Sequence, residues 1–204
     1  MSLRAAVKKH AGFSLAGFSL IEAAVVLGVI GLVVAAIWVA VPSVQSQERI
    51  NNLADQALLI SRNISATYPK DQYPQTNGGG TDLTSWAYKS GQIPSGFTLK
   101  SASTVANADG VVMNVRAECY TGAGCPRIAL NIYGYSSNGT LTGAECYKFM
   151  MRVAGVVKAA DFMYRMSVVA NDGSTVVWAG NPPFDMSSFS CPDNFNRLAL
   201  LFSP

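Results

Sequence analysis

The sequence predicts an α+β protein: a long kinked N-terminal helix, one half membrane-spanning and one half amphipathic, packed on an antiparallel-sheet head. Three observations predict it. From Phe18 to Val41 the chain carries a single charge, Glu22. From Ser43 to Ala66 apolar residues recur at three- and four-residue steps. Beyond Tyr68, short apolar and β-branched stretches alternate with Gly-, Asn-, Asp- and Pro-containing turns. The divisions expected are 1–17 as a leader peptide, 18–42 as a hydrophobic helix, 43–67 as an amphipathic helix and 68–204 as a globular α+β head.

The first element is set by length and charge. Phe18 to Val41 is 24 residues, about 36 Å as a helix, which is enough to cross a bilayer with some tilt. Arg4, Lys8, Lys9 and His10 precede it, and basic residues before a long apolar run mark a membrane helix or an export signal. The small residue that a signal peptidase would need beyond the apolar core lies instead in front of it, at Gly17, so the segment reads as retained. Ala24 to Gly28 and Gly31 to Ala35 are small-xxx-small spacings that let helices approach closely. Trp38 suits a membrane interface. Pro42 removes a backbone donor and is expected to bend the helix.

Glu22 is the exception within this run. A carboxylate in hydrocarbon is costly and marks either a functional pairing or a protonated or snorkelling side chain. The segment holds no cation to pair with it. A cut after Gly17 would create one, the α-amine of Phe18.

In the amphipathic half, Ile50, Leu53, Ala57, Ile60 and Ile64 form one stripe. Gln47, Glu48, Asn51, Asn52, Asp55, Gln56 and Arg62 occupy much of the remainder. Tyr68-Pro69 ends the helix, and residues through Gly80 read as a surface loop. Asp82 to Ser90 reads as a short helix capped at Thr81 or Asp82 and stopped by Gly91, with Trp86 as a packing anchor. Strands are expected over Gly96–Lys100, Val111–Glu118, Arg127–Tyr135, Asp161–Ala170, Ser174–Trp178 and Leu198–Phe202. A helix is expected over Thr142–Val153, with Glu145 early and Arg152 late in accord with its dipole. Asn171-Asp172-Gly173 is a hairpin signal. Met150, Met151, Met163 and Met166 read as core fillers.

Cys119, Cys125, Cys146 and Cys191 are even in number and follow the apolar segment, which favours disulfides in an exported head. Three pairings are possible. One closes the turn-rich loop between Cys119 and Cys125 and leaves Cys146 with Cys191 to tie down the 44 residues between them. No metal site is expected, because the only histidine is His10 and no Cys-x-x-Cys occurs. The net charge of +3 is a property of residues 1–17, since basic and acidic residues number 12 each from Phe18 onward. Nucleic-acid binding therefore gains no support. An enzyme is not expected: no histidine follows His10, there is no G-x-S-x-G elbow, and the acidic residues are scattered. No cofactor is implied. Asn63 and Asn138 open glycosylation sequons read here as chance matches.

Gly17-Phe18-Ser19-Leu20-Ile21-Glu22 followed by the apolar run resembles the class III signal of type IV pilin precursors. The resemblance implies that a membrane-embedded prepilin peptidase cuts after Gly17 and methylates the amine of Phe18. It also implies that Glu22 pairs with that amine in a neighbouring subunit. Gly12-Phe13-Ser14-Leu15 nearly repeats the motif, but a cut after Gly12 would put Gly17 where the glutamate belongs. The length of the leader, the size of the head and the C-terminal Cys191 segment are similar to type IVb pilins, whose disulfide matches Cys146 and Cys191. Phe18 is more typical of type IVa, and Cys119 and Cys125 have no assigned family role. The function implied is structural: a subunit of a bacterial type IV pilus serving attachment or aggregation. The alternative is a minor pilin or a type II secretion pseudopilin. The partners implied are the chain itself as a helical homopolymer, the prepilin peptidase, the inner-membrane assembly machinery and a host or cell-surface ligand. The loops at 70–82 and 180–191 are the expected display surfaces. The precursor belongs in the inner membrane and the product in an extracellular filament.

Overall fold

The computed structural model describes residues 19–72, 80–120, 124–134, 141–157, 163–170, 176–178, 183–187 and 189–202. The chain divides into two compact units between Val44 and Gln45. Helix α1, Leu20–Thr67, contributes to both and is 48 residues long. Pro42 does not end it. The proline lacks the N–H that would bond to the carbonyl four residues earlier, and the sequence after it is helix-forming. Ser43 Oγ donates to the Ala40 carbonyl at 2.8 Å at this point.

The first unit holds the apolar part of α1. Its most apolar window has no residue buried within the fold, and Leu20, Leu32 and Val39 are among its widely exposed side chains. By length and composition this is a candidate membrane-spanning helix.

The second unit is α+β. After α1 and a 3₁₀ turn at Lys70–Gln72 come β1 (Gly80–Asp82), α2 (Thr84–Lys89), β2 (Thr98–Ser101), β3 (Thr104–Ala106), β4 (Val112–Tyr120) and β5 (Gly124–Tyr133). They are followed by α3 (Gly143–Val156), β6 (Met163–Ala170), β7 (Val176–Trp178) and β8 (Phe195–Phe202). The strands form one eight-stranded sheet in the order β2-β3-β4-β5-β8-β6-β7, with β1 also pairing with β4. Each of these pairings is antiparallel. Short β3 and β1 share one edge of β4, at Val112–Met113 and Arg116–Glu118 respectively.

The period-two pattern decides which face is covered. Met113, Val115 and Ala117 of β4 are buried in one cluster with Ile128, Leu130 and Ile132 of β5 and Leu198, Leu200 and Phe202 of β8. The stripe of α1 read from the sequence joins the same cluster, with Ile50, Leu53, Ala57, Ile60 and Ile64 essentially inaccessible. Phe149, Met150 and Val153 add the inner face of α3. Each such side chain contributes about 1.5–3 kcal/mol on burial. On the other face, alternate residues form a polar ladder: Asn131 Nδ2 donates to Asn114 Oδ1 at 3.0 Å, and Asn114 Nδ2 donates to Tyr133 Oη at 2.9 Å.

Three local readings need correction. Helix α2 begins at Thr84 with Leu83 at the N-cap. Asp82 belongs to β1, and its Oδ1 accepts from Thr84 N–H at 2.9 Å, two residues on. The predicted stop holds, since Gly91 follows the C-cap with φ +74°. Met151 is not a core residue; it is 43% exposed, whereas Met150 and Met166 are buried. The residues through Gly80 are not loop throughout, because Gly80 opens β1. Trp86 is a packing residue as expected, its ring edge-on to Tyr68 at 5.2 Å.

Candidate functional site: the apolar helix and the clamp on the head

Glu22 lies in the first turn of α1, and the geometry gives it a local partner that sequence reasoning missed. Ser19 N–H donates to Glu22 Oε2 at 3.0 Å, and Glu22 N–H donates to Ser19 Oγ at 3.2 Å. This is a reciprocal capping box, and Ser-Leu-Ile-Glu is its S-x-x-E signature. Glu22 therefore satisfies an orphan amide of its own helix through one oxygen, and among the described residues no hydrogen bond engages Oε1. Gly17 and Phe18, the proposed cleavage pair, lie outside the described residues. Farther along, a Cβ built on Gly28 or Gly31 would meet nothing within 4 Å. The fold of one copy does not require glycine at either position, so any steric reason for it lies with another molecule.

The second feature is a clamp at the start of α3. Thr142 is the N-cap, and Glu145 completes a capping box with it. Glu145 Oε2 accepts from Thr142 N–H at 3.0 Å, and Thr142 Oγ1 accepts from Glu145 N–H at 3.3 Å. The other carboxylate oxygen, Oε1, takes Arg49 Nη2 of α1 at 2.7 Å. Next to it Cys146 is disulfide-bonded to Cys191, across 45 positions of sequence. Gly143 sits so close to the 192–193 backbone that a Cβ there would lie 2.9 Å from Asp193 Cα and Pro192 O. A cap, an ion pair, a disulfide and a tight backbone approach thus fix one end of α3 within five positions.

Cys119 and Cys125 fall on β4 and β5, whose register runs to Tyr120 opposite Gly124; their side chains lie outside the described residues. Asn171, Asp172 and Gly173 of the expected hairpin, Asn138, and residues 73–79, 180–182 and 188 of the expected display loops also lie outside them. Among the described residues, no group of three His, Cys, Asp or Glu is placed to hold a metal ion. Burial raises the Tyr133 hydroxyl above the ordinary tyrosine range, against the opposing charges of Arg197 and Arg116.

No protein-family model, curated protein or solved structure matches the chain.

Proposed function

We propose that this chain is a structural subunit of a type IV pilus, working by assembly and not by turnover. The observation that carries the reading is the apolar half of α1. From Leu20 to Ala40 every residue of it is exposed, none of its most apolar window is covered by the described residues, and its one charge is Glu22. A surface of that kind belongs in lipid or against copies of itself. Cleavage after Gly17 frees the Phe18 amine, and Glu22 of a neighbouring subunit accepts it. Either charge unpaired in a low-dielectric bundle carries a large desolvation cost, so the pairing selects the axial register. The precursor is held in the inner membrane and the assembled product is extracellular, where it serves attachment or aggregation. The Cys146–Cys191 bond supports a pilus subunit over a pseudopilin.

Two variants test the reading by electron microscopy of sheared surface filaments and by intact mass. Glu22→Ala is expected to leave the head folded and to abolish or severely reduce filaments; an undiminished filament yield would refute the pairing. Gly17→Ala is expected to block leader removal, and a mass corresponding to cleavage after Gly12 would show that the site choice is wrong.

A further inference from the structure

We infer that the groove between the second half of α1 and the outer face of α3 receives the acidic stretches 183–187 and 189–193 of a second copy of this chain. The inference rests on the homopolymer reading and specifies a head-to-head contact within it.

The groove measures about 460 Å³ and is lined by Gln47, Asn51, Tyr147, Lys148, Met151 and Arg152. Its lining holds two cations and no carboxylate. Met151 and Tyr147 are 43% and 41% exposed, which is unusual for side chains of their size on the outer face of a helix and gives the cations an apolar floor. Lys148 is exposed and makes no ion pair among the described residues. Arg152 meets Asp55 only at 3.5 Å, with both side chains open to water. Such a pair is worth little and exchanges readily for another.

Stretches 183–187 and 189–193 are the complement. Their only charged residues are Asp185 and Asp193, both exposed. The Ser187 hydroxyl and N–H hold the Asp185 carboxyl below the usual range, so it is fully charged near neutrality. Phe184 and Met186 beside it are partly exposed. Among the described residues, no hydrogen bond or ion pair joins these stretches to the groove within one copy. Both described stretches are held on the head: Phe184 and Met186 pack against its core, Phe189 is buried, Cys191 is bonded to Cys146, and residues 192–193 abut Gly143. Two different patches meeting in this way make a heterologous contact, which continues as an open helix if the rotation does not close.

The test is zero-length carbodiimide cross-linking of filaments grown from equal amounts of natural and heavy-isotope chains, read by peptide mass spectrometry. The expected product joins Lys148 to Asp185 or Asp193 as a mixed-isotope pair. It is absent from detergent-dispersed monomers and lost in the Asp185→Asn/Asp193→Asn variant. Filaments in which Lys148 is joined only within a copy, or not at all, overturn the groove assignment and leave the pilus reading standing. Lys148 shielded from acetylation in vesicle-bound monomers would assign the groove to lipid and overturn it likewise. Absence of filaments altogether would overturn both.

Discussion

Removing the Glu145 carboxylate tests how the head is attached to its helix. The side chain is only 16% exposed and Arg49 opposite it 27%, with 2.7 Å between Arg49 Nη2 and Oε1. A fully exposed pair is worth at most about 1 kcal/mol, and breaking a fully buried one costs about 3–5 kcal/mol. This intermediate burial places the pair near 2 kcal/mol by interpolation between those limits. The carboxylate also completes the Thr142 box, and loss of a cap costs about 1 kcal/mol. Glu145→Ala should therefore destabilise the head by about 3 kcal/mol, and Glu145→Gln by less, because the amide oxygen can still cap. Denaturation of the full chain in mild detergent, followed by tryptophan fluorescence, gives each value. A double-mutant cycle of Arg49→Met with Glu145→Gln isolates the pair, with a coupling of about 1.5 kcal/mol expected. Coupling below about 0.3 kcal/mol, the scatter of independent sites, would refute the claim that α1 and α3 are joined here by charge.

Replacing both Cys146 and Cys191 by Ala releases a loop of 45 positions and should cost about 4 kcal/mol by the loop-closure model; a change under about 1 kcal/mol would contradict a clamp role. Tyr133 predicts alkaline sensitivity. Its folded pKa is raised by burial, so its contribution is complete below the ordinary tyrosine value of about 10 and lost as pH rises through the higher folded value. A tyrosinate absorbance titration should show late-titrating groups, of which Tyr133→Phe removes one and leaves Tyr68, which burial also raises. Stability of the wild type should be flat near neutrality and fall above pH of about 10, and a decline that begins near neutrality would point to another group.

Much of this was legible along the chain because it is local. The stripe from Ile50 to Ile64 needed only a period. The Thr142–Glu145 and Ser19–Glu22 boxes needed only a spacing of three and were both missed, Glu145 being read for the helix dipole and Glu22 as a charge in an apolar run. What was not legible depends on distant partners. Arg49 and Glu145 are 96 positions apart, and nothing near either names the other. Strands β1 and β3 are three residues each and exist because β4 offers them an edge, not because their sequence demands extension. Met151 looked like core because methionine usually is; its place on the outer face of α3 is fixed by the packing of Phe149, Met150 and Val153. The cleavage pair Gly17–Phe18 and the chemistry of assembly were read from a motif, and they stand as a proposal.

Strand β8 lies between β5 and β6, the latest strand in the sequence inserted at an interior position of the sheet. Until Phe202 has been synthesised, β5 and β6 have no common neighbour, and the strands on either side of that gap cannot be joined. A chain arrested earlier would present two open strand edges to other proteins. Those edges are what quality-control proteases and chaperones recognise. Placement of β8 thus acts as a checkpoint on folding: only a chain that extends through Phe202 can join the two parts of the sheet.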